Sequence, residues 1–486
     1  MLFNSIQFLI FFIVVTLAYF CLSWRGRWML LLAASCYFYM VFKPVFILIL
    51  FATIVIDYYA GIWIAQTKDQ KQKKLLLIIS LISNIGILCF FKYYDFLENS
   101  FNNLMESIGF HPMIPHLERV IPRPILAWMV DNAGHILLPI GLSFHTFQAM
   151  SYTIEVYRGN QAPERNFGIY ALYVMFYPQL VAGPIERPQN MLYQFHSYFK
   201  YDFEKVKSGL MQMAFGFFKK LVIADRLSMV VDHAYLAPSD QNGLTLVTAM
   251  VFYSFQIYCD FSGYSDIAIG AARVMGFTLM DNFRSPYESK SVAEFWGRWH
   301  ISLSSWFRDY LYIPLGGNRK GEFNKYRNQF IVFLVSGLWH GPFWQFVIWG
   351  ALHGTYQVTA SLRDKWLKNA GISIPNNAIV RTFNVLMTFI LVTLTWVFFR
   401  NNITKSVIIF KQITTLSLSD KINTPFNHVE MWFCVFLIVF LLVKEHYCQH
   451  IPTKNTTVFV LLFITILSLV YFLGVVIKNQ FIYFQF

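Results

Sequence analysis

The stretch "FLVSGLWHGPFWQFVIWGALHG", residues 333–354, sets His340 and His353 into an otherwise apolar run with no acidic neighbour to hold either ring. Leucine at either position would enter a bilayer more easily. Ionisable side chains inside hydrocarbon are costly, and usually mark a function. Gly337 and Gly341 flank Leu338-Trp339-His340, and Pro342 follows. Proline pushes the residue before it away from helical geometry, so the spacing predicts a helix that ends at His340. Glycine on both sides suggests room for a slender group to approach the imidazole. His353 lies thirteen residues further on, about 20 Å along an unbroken helix. One small reacting group can touch both rings only if the chain bends between them.

The rest of the chain shares this apolar character. Its 486 residues are 56% hydrophobic, 19% aromatic and 13% charged, with a mean hydropathy of +0.47. Soluble domains carry about twice that charge fraction. Six long runs are nearly uncharged: Ile6–Ser23, Pro44–Ala65, Leu75–Phe91, Phe383–Phe399, Met431–Val443 and Thr457–Val476. Crossing the hydrocarbon as helix takes roughly 20 residues. Counting shorter and polar-interrupted segments, the expectation is an all-α polytopic membrane protein with about ten to twelve membrane helices. Interfacial or re-entrant helices would complete it.

No lysine or arginine precedes the first run, which argues against a cleaved signal peptide. Arg25 and Arg27, and then "TKDQKQKK" at 67–74, are expected on the cytoplasmic side, which places the N-terminus outside. The net charge of +13 suits short loops facing anionic lipid rather than nucleic acid. Six scattered cysteines (Cys21, Cys36, Cys89, Cys259, Cys434 and Cys448) form no CxxC pair, so neither a disulfide framework nor a metal site is expected.

Three regions follow. Residues 1–95 read as four lipid-facing helices, and 96–135 as a polar, proline-bearing outer connection. Residues 136–360 carry Asp, His, Gln, Arg, Gly and Pro inside apolar segments and form the expected catalytic core. Residues 361–486 return to plain membrane helices, with an amphipathic loop around 402–425. No repeat of fixed period is present.

Four segments of the middle region carry the polar chemistry. "LLPIGLSFHTFQAMSYTIEVYRG" (137–159) places Ser143, His145, Thr146 and Gln148 in an apolar frame, as in a packed helix bonded to its neighbours or the lining of a cavity. "FYPQLVAGPIERP" (176–188) breaks any regular helix, which membrane depth tolerates only inside protein or beside water. "FQIYCDFSGYSDIAIGAARVMG" (255–276) spaces Asp260 four residues from Tyr264 and Ser262 four from Asp266, giving each acid a hydroxyl on its own helix face. In 294–330, Trp296, Trp299, Trp306, Tyr310 and Tyr312 suit a helix lying at the membrane interface. Arg298, Arg308, Arg319, Lys320, Lys325 and Arg327 form a cationic rim there. That rim suits either anionic lipid or a phosphorylated substrate gripped at a cytoplasmic mouth.

A neutral imidazole accepts protons near physiological pH. Acyl transfer from a thioester to a hydroxyl needs such a base. An acyl-coenzyme A donor is multiply charged and cannot cross the bilayer, so a basic mouth leading to a mid-membrane histidine would serve it. The chain has no GxSxG, GxxxxGK[ST] or HExxH motif, against hydrolase, pump-ATPase and metalloprotease readings.

"YCDFSGYSDIAIG", "EFWGRWHISLSSWFRDYLYIPLGGNR" and "SGLWHG", in this order, resemble the bacterial branch of the membrane-bound O-acyltransferase (MBOAT) family. Its alginate O-acetylation group is nearest, with peptidoglycan O-acetylation and teichoic-acid D-alanylation proteins beside it. The resemblance takes in most of the chain, including "FNSIQFLIFF" and "LVAGPIERP". It implies one transmembrane domain over 1–486, with helices ringed around a thinned channel in the bacterial cytoplasmic (inner) membrane. It places the family's catalytic histidine on His340, beside Trp339, and its second polar position on His300. His353 resembles a less essential "HG". Acetyl-coenzyme A is implied as the donor, with no tightly bound cofactor and no metal. Arg298, Arg308, Arg319 and Lys320 are candidates to bind it. An envelope polysaccharide is the implied acceptor, reached directly or through a periplasmic acetyltransferase partner. Asp260, Asp266 or His300 is left to orient His340. A transporter or flippase, or a scaffold for a periplasmic partner, is the competing reading.

Overall fold

The computed structural model describes the chain apart from residues 112–113, 123–138, 140, 181–182, 418, 450, 476–480 and 483–486. The described residues are helices, turns and irregular links, with no strand among them. Among the described residues, five helices are long and apolar enough to cross a bilayer: Phe46–Gln66, Gln70–Ser107, Gly243–Val274, Ala378–Arg400 and Thr456–Leu473. Ile6–Cys21 is a shorter apolar helix. Each of the six long runs read from the sequence coincides with helix over most of its length. Two compact units share the chain: residues 1–202 with 271–279, and residues 203–270 with 280–486.

In the first unit, the helices Ile6–Cys21, Trp24–Met40, Phe46–Gln66 and Gln70–Leu88 give the expected four. The fourth continues through a π turn, Cys89–Tyr93, into Tyr94–Ser107. The polar connection expected from residue 96 is therefore helical to Ser107, and much of its remainder lies outside the described residues. Lipid offers apolar helices little hydrophobic reason to associate, so hydrogen bonds and small residues hold them together. Asp57 shows this: it accepts from Asn84 at 3.0 and 2.8 Å and from Ser80 at 2.6 Å, tying two helices. Arg27 is not a plain loop charge. It is buried between the rings of Tyr19 and Tyr198 and donates to the Leu22 carbonyl at 2.9 Å.

The helix Leu142–Arg158 is buried along most of its length. Its Thr146 and Ser151 hydroxyls donate to carbonyls one turn back, and His145 Nδ1 lies 3.1 Å from the Gly141 carbonyl oxygen. The Thr146 and Ser151 hydroxyls thus bond back along their own helix. The proline-rich 176–188 segment holds one short helical turn, Tyr177–Leu180, and is buried wherever described except at the half-buried Arg187.

The second unit is built on residues 243–270 of the helix Gly243–Val274, about 48 Å long if straight. The helix Phe203–Phe217 runs into a π segment, Phe218–Ala224. Gly216 and Gly263 let this chain lie against Gly243–Val274: a Cβ on Gly216 would sit 2.7 Å from the Gly263 carbonyl oxygen. The loop expected at 402–425 begins with a helix, Ile403–Ile413. Thr456–Leu473 is almost wholly uncovered within the chain, as a lipid-facing helix should be.

Candidate active site

The helix Glu322–His340 ends at His340, as the Gly341-Pro342 pair requires, and Gly341 is extended (φ −167°, ψ 157°). The chain reverses and re-enters a helix at Trp344–Asn369, which packs back along the first. This bend brings the two histidines of the opening run against one ring. Trp349 lies with its ring centroid 5.0 Å from that of His340 and 4.8 Å from that of His353. The flanking glycines do not leave an open approach. A Cβ on Gly337 would meet the Phe346 carbonyl oxygen at 2.2 Å, and one on Gly341 the Phe346 ring at 2.2 Å. Gly350 is closed in the same way by the Phe333 carbonyl at 2.4 Å. Their missing side chains let the two helices touch.

His340 is buried, with Trp339, Trp349 and Phe399 around it at centroid distances of 4.9, 5.0 and 5.1 Å. Trp339 also neighbours His300, with 6.3 Å between their ring centroids. His300 is fully buried, with φ +45°, between the helices Val292–Arg298 and Ile301–Phe307. A non-glycine residue in this left-handed region costs on the order of 1–3 kcal/mol and persists only where its surroundings enforce it. Here the Ile301 amide donates to the Asn282 carbonyl at 3.0 Å, and the Arg284 amide to the Arg298 carbonyl at 2.9 Å. The interfacial helix expected at 294–330 is thus broken at His300. Trp296, Trp299 and Trp306 are buried in the unit, not displayed at a membrane surface.

His353 is spoken for at both nitrogens. Trp296 Nε1 donates to Nδ1 at 3.2 Å, which makes Nδ1 the acceptor. Nε2 must then carry the proton and donate to Thr395 Oγ1 at 3.0 Å, and that hydroxyl donates to the Val392 carbonyl at 2.7 Å. This is the bonding of a structural histidine.

The aspartates meet lysines that the sequence reading passed over. Asp266 pairs with Lys219 at 2.5 Å and accepts from Gln212 at 2.9 Å. Asp260 pairs with Lys220 at 2.6 Å, and its other oxygen accepts from the Ile482 amide at 2.8 Å. Lys220 also pairs with Asp225 at 2.9 Å. Both lysines sit on the π segment, a conformation frequent at functional sites. Lys219 donates to Ser262 at 2.9 Å, the hydroxyl expected to serve Asp266. The aspartates therefore neutralise buried lysines in this structure. The signal was present in "FFKKLVIADR" (217–226), two adjacent lysines in an apolar run.

Of the four candidate donor-binding cations, Arg298 is half-buried and pairs with Glu294 at 2.7 Å. Arg308 is exposed and lies 2.9 Å from Asp309. Arg319 and Lys320 are exposed on the turn that precedes the Glu322–His340 helix. Asn328 braces that turn from inside, donating to the Leu315 and Gly317 carbonyls at 3.2 and 3.0 Å.

A polytopic all-helical protein with an aromatic-caged histidine at a helix break, and a second histidine near the same tryptophan, defines a class of membrane enzyme. The pattern of the membrane-bound O-acyltransferase family matches residues 161–401. A probable alginate O-acetylase of Pseudomonas putida is 39% identical over 406 residues, 82% of this chain and 77% of that protein. A peptidoglycan O-acetyltransferase of Helicobacter pylori is 34% identical over 436 residues, again 82% and 77%. A teichoic acid D-alanyltransferase of Streptococcus thermophilus is 30% identical over 294 residues, 56% of this chain and 70% of that one. The chain belongs to the MBOAT family and is a membrane O-acyltransferase.

Proposed function

We propose that this enzyme takes acetyl groups from acetyl-coenzyme A on the cytoplasmic side of the bacterial inner membrane. It passes them to hydroxyls of an envelope or extracellular polysaccharide, alginate-like or peptidoglycan, directly or through a periplasmic acetyltransferase partner. One observation carries the reading: His340 closes its helix at an extended Gly341-Pro342 break, caged by aromatic rings. The cage excludes water, which would otherwise hydrolyse a thioester. The names of the relatives, acting on alginate and on peptidoglycan, support the acceptor class.

In this mechanism His340 takes the proton of the acceptor hydroxyl as its oxygen attacks the thioester carbonyl. The carbon–oxygen bond forms, the carbon–sulfur bond breaks, and coenzyme A leaves as the thiolate, which recovers the proton from the imidazolium. His300, which neighbours Trp339, assists. Trp339 and His353 shape the cage. Asp260 and Asp266 hold Lys219 and Lys220 in place. Arg308, Arg319 and Lys320, with Arg298, supply cations for the donor phosphates.

The test is a comparison of purified wild type with His340→Ala, each given radiolabelled acetyl-coenzyme A with and without envelope extract. Release of coenzyme A and labelled product by wild type alone supports the reading, and the product names the acceptor. Equal release by both proteins removes His340 from the role of base. Donor neither bound nor consumed by wild type would sink the acetyl-coenzyme A reading and bring forward a transporter.

A further inference from the structure

The hydrogen bonds around His300 define its tautomer. Asn282 Oδ1 accepts from the Ser302 amide at 3.3 Å and from Ser302 Oγ at 2.9 Å. A main-chain N–H can only donate, so the Asn282 atom facing it is the oxygen. The other end of that amide donates to Ser265 Oγ at 3.2 Å, in agreement. His300 Nδ1 lies 3.0 Å from this same oxygen, and two acceptors cannot share a bond. Nδ1 therefore carries the proton, and in the neutral ring the lone pair is on Nε2. His353, by contrast, carries its proton on Nε2.

We propose that Asn282 is a positioning residue for the transfer reaction: it holds His300 as the Nδ1–H tautomer, with Nε2 as its proton-accepting atom. The role rests on the reading that His300 assists His340. Asn282 is itself fully buried. Its main-chain carbonyl holds the Ile301 amide at 3.0 Å, so a single residue sets both the strained backbone and the ring of His300. Phe261 packs edge-on at 4.7 Å and keeps the ring from rotating away. Ser265 anchors the clamp to the Gly243–Val274 helix. A serine-only arrangement would leave the tautomer free, because a hydroxyl both donates and accepts. The amide oxygen leaves one choice.

Nitrogen NMR of histidine-labelled wild type, with His300 assigned by loss of its signals in His300→Gln, reads the tautomer directly. The expected result is a neutral Nδ1–H ring. Asn282→Asp keeps an acceptor at that place and should keep the tautomer. Asn282→Leu should release it and lower kcat by about 100-fold, with KM for the acyl donor little changed, as losses from orienting residues run. An Nε2–H ring in wild type overturns the proposal, as does an Asn282→Leu protein with unaltered tautomer and kcat. If His300→Gln turns over at the wild-type rate, the catalytic reading of His300 fails, while the NMR still decides whether Asn282 sets its tautomer. Should Asn282→Leu not fold, wild type and Asn282→Asp carry the spectroscopic test alone.

Discussion

His340 and His353 stand thirteen residues apart in one run and face the same tryptophan, yet their surroundings differ in kind. His340 ends a helix at an extended glycine and is ringed by Trp339, Trp349 and Phe399. His353 sits inside a continuous helix, with one nitrogen accepting from Trp296 and the other donating to Thr395. A ring held at both nitrogens by buried partners has no proton to exchange without breaking a hydrogen bond. The teaching is that a polar residue in an apolar run earns its role from what its atoms touch.

The sharpest way to break this comparison is His340→Ala. Loss of a general base costs roughly 10²- to 10⁴-fold in rate, read per folded molecule because removing the buried ring also leaves a cavity that lowers the unfolding temperature. Turnover near wild type would end the distinction between the two histidines. Next is Lys220→Met, which leaves Asp260 and Asp225 buried and uncompensated. Removing one partner of such a pair costs about 3–5 kcal/mol, to be read as a fall in melting temperature in detergent. Lys220→Met combined with Asp225→Asn and Asp260→Asn should recover most of that fall; no recovery would mean that the lysine acts other than as a counter-ion.

Gly337→Val tests the bend that places both rings on Trp349. Its new side chain meets the Phe346 carbonyl and must force the two helices apart. Overpacking of this sort costs about 1–3 kcal/mol, and transfer activity should fall alongside stability. An unchanged melting temperature would show that the helices are not held at the distance seen here. His353→Leu should have the smallest effect. It leaves the Trp296 N–H without its acceptor, a loss of about 1–3 kcal/mol in stability. Activity per folded molecule should fall far less than in His340→Ala. A loss of turnover equal to that of His340→Ala, in a folded protein, would return His353 to the catalytic group.

The membrane class, the six long helices and the break after His340 were legible because each is a local property. Hydropathy over some 20 residues decides insertion, and proline acts on the residue next to it. Trp296, Trp299 and Trp306 misled because amphipathic rings suit a membrane interface and a buried aromatic cluster equally well. Asn282 carried no signal at all: a single asparagine in "MDNFRSPY" is unremarkable until the fold brings it to His300. Lys219 and Lys220 were visible as charges in an apolar run, with Asp225 five residues beyond Lys220, but Asp266 and Asp260 lie 47 and 40 residues on and needed the helices to be packed.

By itself the sequence determined that this chain is a helical membrane protein, that one histidine ends a helix, and which motifs tie it to its family. Only the tertiary structure decided that His353 is hydrogen-bonded at both nitrogens, that the glycines join helices instead of admitting substrate, and that the two aspartates serve lysines. The reason is physical. Insertion and helix termination depend on neighbours along the chain, whereas hydrogen-bond saturation and charge pairing depend on neighbours in space.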